Sequence, residues 1–95
     1  MTYKLKFLPA AKKEWSKLAP SIQNQFKKKL RERLENPHVP ASRLRGYDSV
    51  YKIKLRTAGY RLAYEVIDEE IVVYVLTVGK RNKDEVYKKL ASRFS

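Results

Sequence analysis

Between residues 50 and 78 the chain reads as three strands in succession, and this limits the fold more than any other feature. Val50, Lys52, Lys54 and Arg56 alternate with Tyr51, Ile53 and Leu55. Tyr60, Leu62, Tyr64 and Val66 alternate with Arg61, Ala63, Glu65 and Ile67. A repeat of two sends successive side chains to opposite faces of a strand. Thr57-Ala58-Gly59 between the two runs is a hairpin turn, and Asp68-Glu69 makes the next turn. Ile71 to Val78 is nearly continuous apolar sequence, as expected of a central strand covered on both faces.

The first half supplies the cover. Tyr3-Lys4-Leu5-Lys6-Phe7 alternates and predicts an opening strand with Tyr3, Leu5 and Phe7 on one face. Pro9 suits a first helical position, and Ala11, Trp15 and Leu18 follow at helical spacing. Ala19-Pro20 ends that helix and starts another, in which Ile22, Phe26, Leu30 and Leu34 share a face and Lys27, Lys28, Lys29, Arg31 and Arg33 form a basic outer surface. Asn36-Pro37 stops it, and residues 37–48 read as a loop. Gly79-Lys80-Arg81-Asn82-Lys83 is a basic exit loop, and Asp84 caps a last helix with Val86, Leu90 and Phe94 on one face. The expected order is β-α-α-β-β-β-α: an α+β fold in which a helical pair and a final helix pack on a mostly antiparallel sheet. The 95 residues fit one domain spanning 1–95.

Composition narrows the function classes. With 22 Lys and Arg against 10 Asp and Glu, the formal charge is +12, which calls for an anionic partner. No cysteine is present, so disulfides, thiol nucleophiles and thiolate metal sites are excluded. His38 is the single histidine, held between Pro37 and Pro40, and a two-histidine nuclease or metal site is excluded with it. His38 itself reads as a loop residue of no chemical consequence. No metal or cofactor is called for. No apolar run approaches the roughly 18 residues of a membrane span, and the N-terminus lacks a signal-peptide core. The expectation is a soluble, cytoplasmic protein that does not engage a membrane.

The most informative stretch is Lys52, Lys54 and Arg56, which point the same way on one strand. Strands avoid stacking like charges. The turn at 57–59 returns Arg61 beside them, although a register shift of one residue would put it on the other face. Arg45 and Arg81 lie in flanking loops, and Tyr87 opens the last helix. A single charged stripe is ordinarily solvated surface. Its recurrence on two strands and their loops, in a chain this basic, favours contact with nucleic acid. Arg45, Arg56, Lys80 and Lys83 are the candidates for RNA contact. Tyr51, Tyr60 and Tyr64 have the apolar parity and are expected in the core, whereas Tyr87 lies beside the Val86–Leu90–Phe94 stripe and suits stacking on a base.

Such a patch has the means to cut RNA. The 2′-hydroxyl is a built-in nucleophile that needs a base, charge stabilisation at the phosphate and help for the leaving 5′-oxygen. A lysine serves as base only when its pKa falls, and neighbouring cations push it down. Lys54 lies between Lys52 and Arg56, with Arg61 near. Arginines stay protonated and suit bidentate phosphate contact. On composition and spacing, the reading is RNA binding with a capacity for cleavage.

Five segments go further: Leu44-Arg45-Gly46, Tyr51-Lys52-Ile53-Lys54-Leu55-Arg56, Gly59-Tyr60-Arg61-Leu62, Val78-Gly79-Lys80-Arg81 and Glu85-Val86-Tyr87. Together they resemble the RelE family of bacterial toxins over essentially the whole chain. The resemblance implies a toxin of a type II toxin–antitoxin system, an endoribonuclease that enters the ribosomal A site and cuts mRNA there. It implies Lys54 as general base, Lys52 and Arg61 stabilising charge at the phosphate, Arg81 assisting the leaving oxygen and Tyr87 orienting or stacking on a base. Arg45 would contact RNA. It also implies a RelB-like antitoxin whose extended segment wraps the toxin, with operator DNA bound through the antitoxin. The alternatives are a non-enzymatic, ParE-like toxin that inhibits DNA gyrase, and a plain nucleic-acid-binding module.

Overall fold

The fold was analysed in a computed structural model, which describes residues 2–80 and 85–94. Strand β1 (Lys4–Phe7) is followed by helices α1 (Pro9–Ser16) and α2 (Pro20–Glu35), a single 3-10 turn at Pro40–Ser42, strands β2 (Val50–Leu55), β3 (Tyr60–Ile67) and β4 (Val72–Lys80), and helix α3 (Glu85–Phe94). This is the order the sequence predicts. Pro9 and Pro20 each begin a helix directly after an extended residue, where the missing proline N–H costs nothing. Gly59 turns the β2–β3 hairpin at φ 73°, a left-handed value that favours glycine.

The sheet order is β1-β4-β3-β2. The β2–β3 and β3–β4 pairs are antiparallel, and β1 lies parallel to β4. Strand β4 is therefore central, as its apolar run requires. A bulge at Ala63/Tyr64 inserts Leu76 into β4 and shifts the pairing by one residue. Helices α1 and α2 cover one face, where Ala11, Trp15, Phe26 and Leu30 pack against Tyr51, Ile53, Leu55, Leu62, Tyr64 and Val75. Helix α3 covers part of the other face, with Val86 and Leu90 on Leu44, Val50, Ala63 and Leu76. Of the apolar stripe expected for α3, Val86 and Leu90 are fully buried, while Asp84 and the Phe94 side chain lie outside the described residues.

Several details depart from the sequence reading. Ile71 does not begin β4 but sits in the preceding turn at φ 55°. Leu5 remains exposed, because β1 is an edge strand that α1 only partly overlies. Tyr60 is half-buried, unlike the buried Tyr51 and Tyr64. Gly79 and Lys80 extend β4 and are not part of the exit loop. His38 has a structural role: its Nδ1 is 2.9 Å from the Tyr51 hydroxyl and its Nε2 is 2.9 Å from Asp68, which also accepts from the Tyr3 hydroxyl at 2.6 Å. This network ties β1, the 37–40 loop and the β3–β4 turn together.

Candidate functional site

Register decides what parity alone leaves open. Lys54 pairs directly with Arg61 across the β2–β3 hairpin, and Lys52 pairs with Ala63. Val50 and Ala63, of the same parity, pack under α3. Lys52, Lys54 and Arg61 thus share the α3 face of the sheet. The Arg61 guanidinium carbon lies 5.1 Å from the centroid of the Tyr87 ring, a cation–π contact between sheet and helix. Four of the five residues expected to carry chemistry are brought to one face by three elements. Arg81, the fifth, lies outside the described residues, as does Lys83.

Crowding of like charge has the expected electrostatic effect. The Lys54 ammonium is held below the usual lysine pKa, chiefly by the Lys52 charge, with partial desolvation and the Arg61 and Arg56 charges adding to it. Lys54 is exposed and Lys52 half-buried. The lysine with the lowered pKa is therefore the one open to a ligand.

Two of the depressions bordering this ridge bear on the site. One, of about 400 Å³, lies between the 43–47 loop and α3, with the buried Leu44 and Leu90 at its base and Arg43, Arg45, Tyr47, Lys52 and Tyr87 around it. Its apolar base, aromatic walls and cationic rim suit a nucleobase with its phosphate. The other, of about 340 Å³, is lined by Arg33, Ala41, Ser42, Lys52, Lys54 and Arg56 on the open edge of β2. Lys52 lines both. Arg45 and Arg56 thus extend the site in opposite directions. Lys80 does not join it: it pairs with Tyr60 and has the strand parity opposite to Gly79, the residue that faces α3. Among the described residues no group of three or more His, Cys, Asp or Glu is placed to hold a metal ion.

One residue that shapes the site escapes the sequence reading. Arg33, expected on the solvated face of α2, turns inward. Its Nη1 donates to the Tyr64 hydroxyl at 2.9 Å and the Lys52 carbonyl at 3.3 Å, and its Nη2 donates to Ser42 Oγ at 3.3 Å. It fixes the backbone of β2 where Lys52 projects. The signal was present: position 33 is seven after Phe26 and three after Leu30, on the buried face of the helix.

Comparisons with known proteins agree with this architecture. A family model described as the ParE toxin of type II toxin–antitoxin systems matches residues 5–85. The mRNA interferase toxin RelE of Escherichia coli (strain K12) is 53% identical over 93 residues, covering 98% of each chain. A mutant of E. coli toxin RelE, solved in the free state, superposes with a TM-score of 0.91 at 50% identity over 100% of both chains. The same toxin mutant in complex with an antitoxin RelBc peptide gives 0.83 at 53% identity over 94% of each.

Proposed function

This chain belongs to the ParE toxin family of type II toxin–antitoxin systems, within it to the RelE group, and we propose that it halts translation by cutting mRNA in the ribosomal A site. It is an endoribonuclease toxin, and its partner is a RelB-type antitoxin. The observation that carries the mechanism is the Lys54–Arg61 pair, stacked beside Lys52 and roofed by Tyr87.

The proposed steps follow from that geometry. Neutral Lys54 takes the proton of the 2′-hydroxyl, whose oxygen attacks the adjacent phosphorus. Lys52 and Arg61 stabilise the charge that builds on the phosphoryl oxygens, and the bond to the 5′-oxygen breaks. Arg81 donates a hydrogen bond to that leaving oxygen, which takes a proton from solvent water and departs as a hydroxyl; the upstream fragment ends in a 2′,3′-cyclic phosphate, and the Lys54 ammonium returns its proton to solvent. Tyr87 holds a flanking base against Arg61, while Arg45, Arg56 and Lys83 contact the RNA backbone. A set of cations without a strong free base depends on alignment of its substrate. A ribosome-bound codon supplies that alignment, an effect that can reach about 7–11 kcal/mol. The antitoxin's acidic wrapping segment offsets the +12 charge and carries the complex to operator DNA. The protein acts in the cytoplasm, where ribosomes are, and among the described residues no helix is long and apolar enough to cross a membrane.

The test compares programmed ribosomes with the same mRNA free in solution, with 5′ ends mapped by primer extension. Cuts at A-site codons only when ribosomes are present support the proposal. Cuts in both tubes mean a ribosome-independent nuclease. Intact mRNA together with loss of supercoiling activity would restore the gyrase-inhibiting alternative.

A further inference from the structure

Glu14, on α1, is bonded from two other elements at once, away from the cleft. Strand β1 ends at Phe7, whose partner is Val75, so β1 leaves the outer edge of β4 unpaired from Leu76 onward. The Glu14 carboxylate occupies that edge. Its Oε1 accepts from the Val78 amide at 3.2 Å, the Thr77 hydroxyl at 3.0 Å and Arg93 Nη1 at 3.0 Å. Its Oε2 accepts from Arg93 Nη2 at 3.1 Å and lies 3.1 Å from Lys89 Nζ. Arg93 also donates to the Leu76 carbonyl at 2.6 Å. The Glu14 side chain is only 18% exposed. Packing of α1 does not require this arrangement, since Ala11 and Trp15 bury that helix.

The consequence lies in α3. Lys89 and Arg93 are four apart and share one flank of the helix. At about 100° per residue, Tyr87 falls about 160° around the helix from Lys89. Val86 and Leu90 lie between and face the sheet. Glu14 therefore grips one flank while the other holds Tyr87 over Arg61. Gly79, paired with Arg61 on β4, leaves the strand bare beneath Lys89: a Cβ there would sit 3.6 Å from its Nζ. Two buried aliphatic side chains set how closely the helix docks. The charged bonds to Glu14 set its rotation.

We propose that Glu14 is a positioning residue for cleavage: by fixing the rotation of α3, it seats the Tyr87 ring over the Arg61 guanidinium. The inference rests on the reading of this face as the cleavage site. Without Glu14, Lys89 and Arg93 lose their shared counter-charge in a chain of +12, and the helix rolls.

Glu14→Gln keeps an amide oxygen for Thr77 and Val78 but removes both ion pairs. The direct readout is the ring-current shift of the Arg61 side-chain protons by NMR, with Tyr87→Ala defining its absence. The expected result is a folded Glu14→Gln protein that loses more than half of that shift. Single-turnover cleavage on ribosomes should fall on the order of 10-fold. In a Tyr87→Ala background the same substitution should cost less than about twofold, because the two residues act through one geometry. An unchanged Arg61 shift, or equal losses in both backgrounds, would overturn the proposal. If Glu14→Gln does not fold, Lys89→Gln, which removes one arm of the grip, takes its place under the same criteria. Should the wild-type protein cut nothing on ribosomes, the functional reading fails, and the Arg61 shift still decides the geometry.

Discussion

Tyr64→Phe isolates the polar chain that ties the core to the site. Tyr64 is fully buried, and its ring stacks on Tyr51 at 5.6 Å. Its hydroxyl donates to the Pro37 carbonyl at 2.8 Å and accepts from Arg33 Nη1 at 2.9 Å. The neutral bond contributes about 0.5–1.5 kcal/mol and the charge-assisted one about 1.5–3. Arg33 retains Ser42 and the Lys52 carbonyl, so the lower half of the total applies, about 2–3 kcal/mol. For 95 residues at about 2.1 cal/mol/K each, the unfolding entropy is about 200 cal/mol/K, and Tm should fall by about 10–15 °C. Urea titration should show a lower midpoint with an unchanged slope, because shape and buried area are conserved. Cleavage at 25 °C should change by less than about threefold, since β3 pairing still holds Lys52. A loss below about 0.5 kcal/mol would refute the reasoning, showing that the hydroxyl's partners find equal bonds elsewhere.

Lys54→Ala should reduce cleavage by about 10²-fold or more at every pH, as loss of a general base does. Lys52→Gln removes the main cause of the lowered Lys54 pKa, so Lys54 should titrate higher: activity falls at every pH because the phosphoryl charge loses a partner, and the rising limb of the pH–rate profile moves to higher pH. Burial pushes the Glu14 carboxyl up, but bonds from Arg93, Lys89, Val78 and Thr77 outweigh it and hold the pKa below the ordinary value. Its contribution to stability is therefore present above the unfolded-state value of about 4.3 and is lost as pH falls through the depressed folded value. The stability gap between wild type and Glu14→Gln, measured by urea titration at several pH values, should close in that acid range. Gly59→Ala meets no neighbouring atom but must hold φ 73°, so it should cost about 1–2 kcal/mol, and Gly59→Asn less, by thermal unfolding.

The strands of the hairpin were legible because their chemistry repeats every two residues and one face must be buried. Placing Arg61 was not possible from that pattern, since register depends on how the turn at 57–59 closes, and only the Lys54–Arg61 pairing fixes it. The order β1-β4-β3-β2 was equally hidden: nothing in Lys4–Phe7 says that it runs parallel to the last strand. Glu14 reads as one more charge on a short helix until Thr77, Val78, Lys89 and Arg93 converge on it from far along the chain. Arg33 differs, because helical spacing placed it on the buried face and its charge alone argued against that. Its three acceptors resolve the conflict, since a half-buried guanidinium is tolerated when bonded. Ile71 was assigned to β4 by its hydrophobicity, yet a tight turn after Asp68-Glu69-Glu70 requires one left-handed residue, and Ile71 takes that position without a glycine.

The stacked cations raise a question of balance that ends in a test. Lys52, Lys54 and Arg61 repel one another, and that repulsion contributes to the lowered Lys54 pKa. The opposite face of the same two strands buries Tyr51, Ile53, Leu55, Leu62 and Tyr64, each contributing about 1.5–3 kcal/mol. That core holds the hairpin in a conformation its charges oppose, and the same positive potential lowers the Lys54 pKa and, under the proposed function, would draw RNA to this face. Function and stability should therefore trade off at this position. Lys54→Met should lose cleavage yet raise Tm, because it removes one repelling charge from an exposed site and leaves the core intact. The gain should be largest at low ionic strength and shrink in about 0.5 M salt, where the screening length falls to a few ångströms. A fall in Tm, or a gain indifferent to salt, would mean that the ammonium makes stabilising contacts outweighing the repulsion, and that the lowered pKa does not reflect stored electrostatic strain.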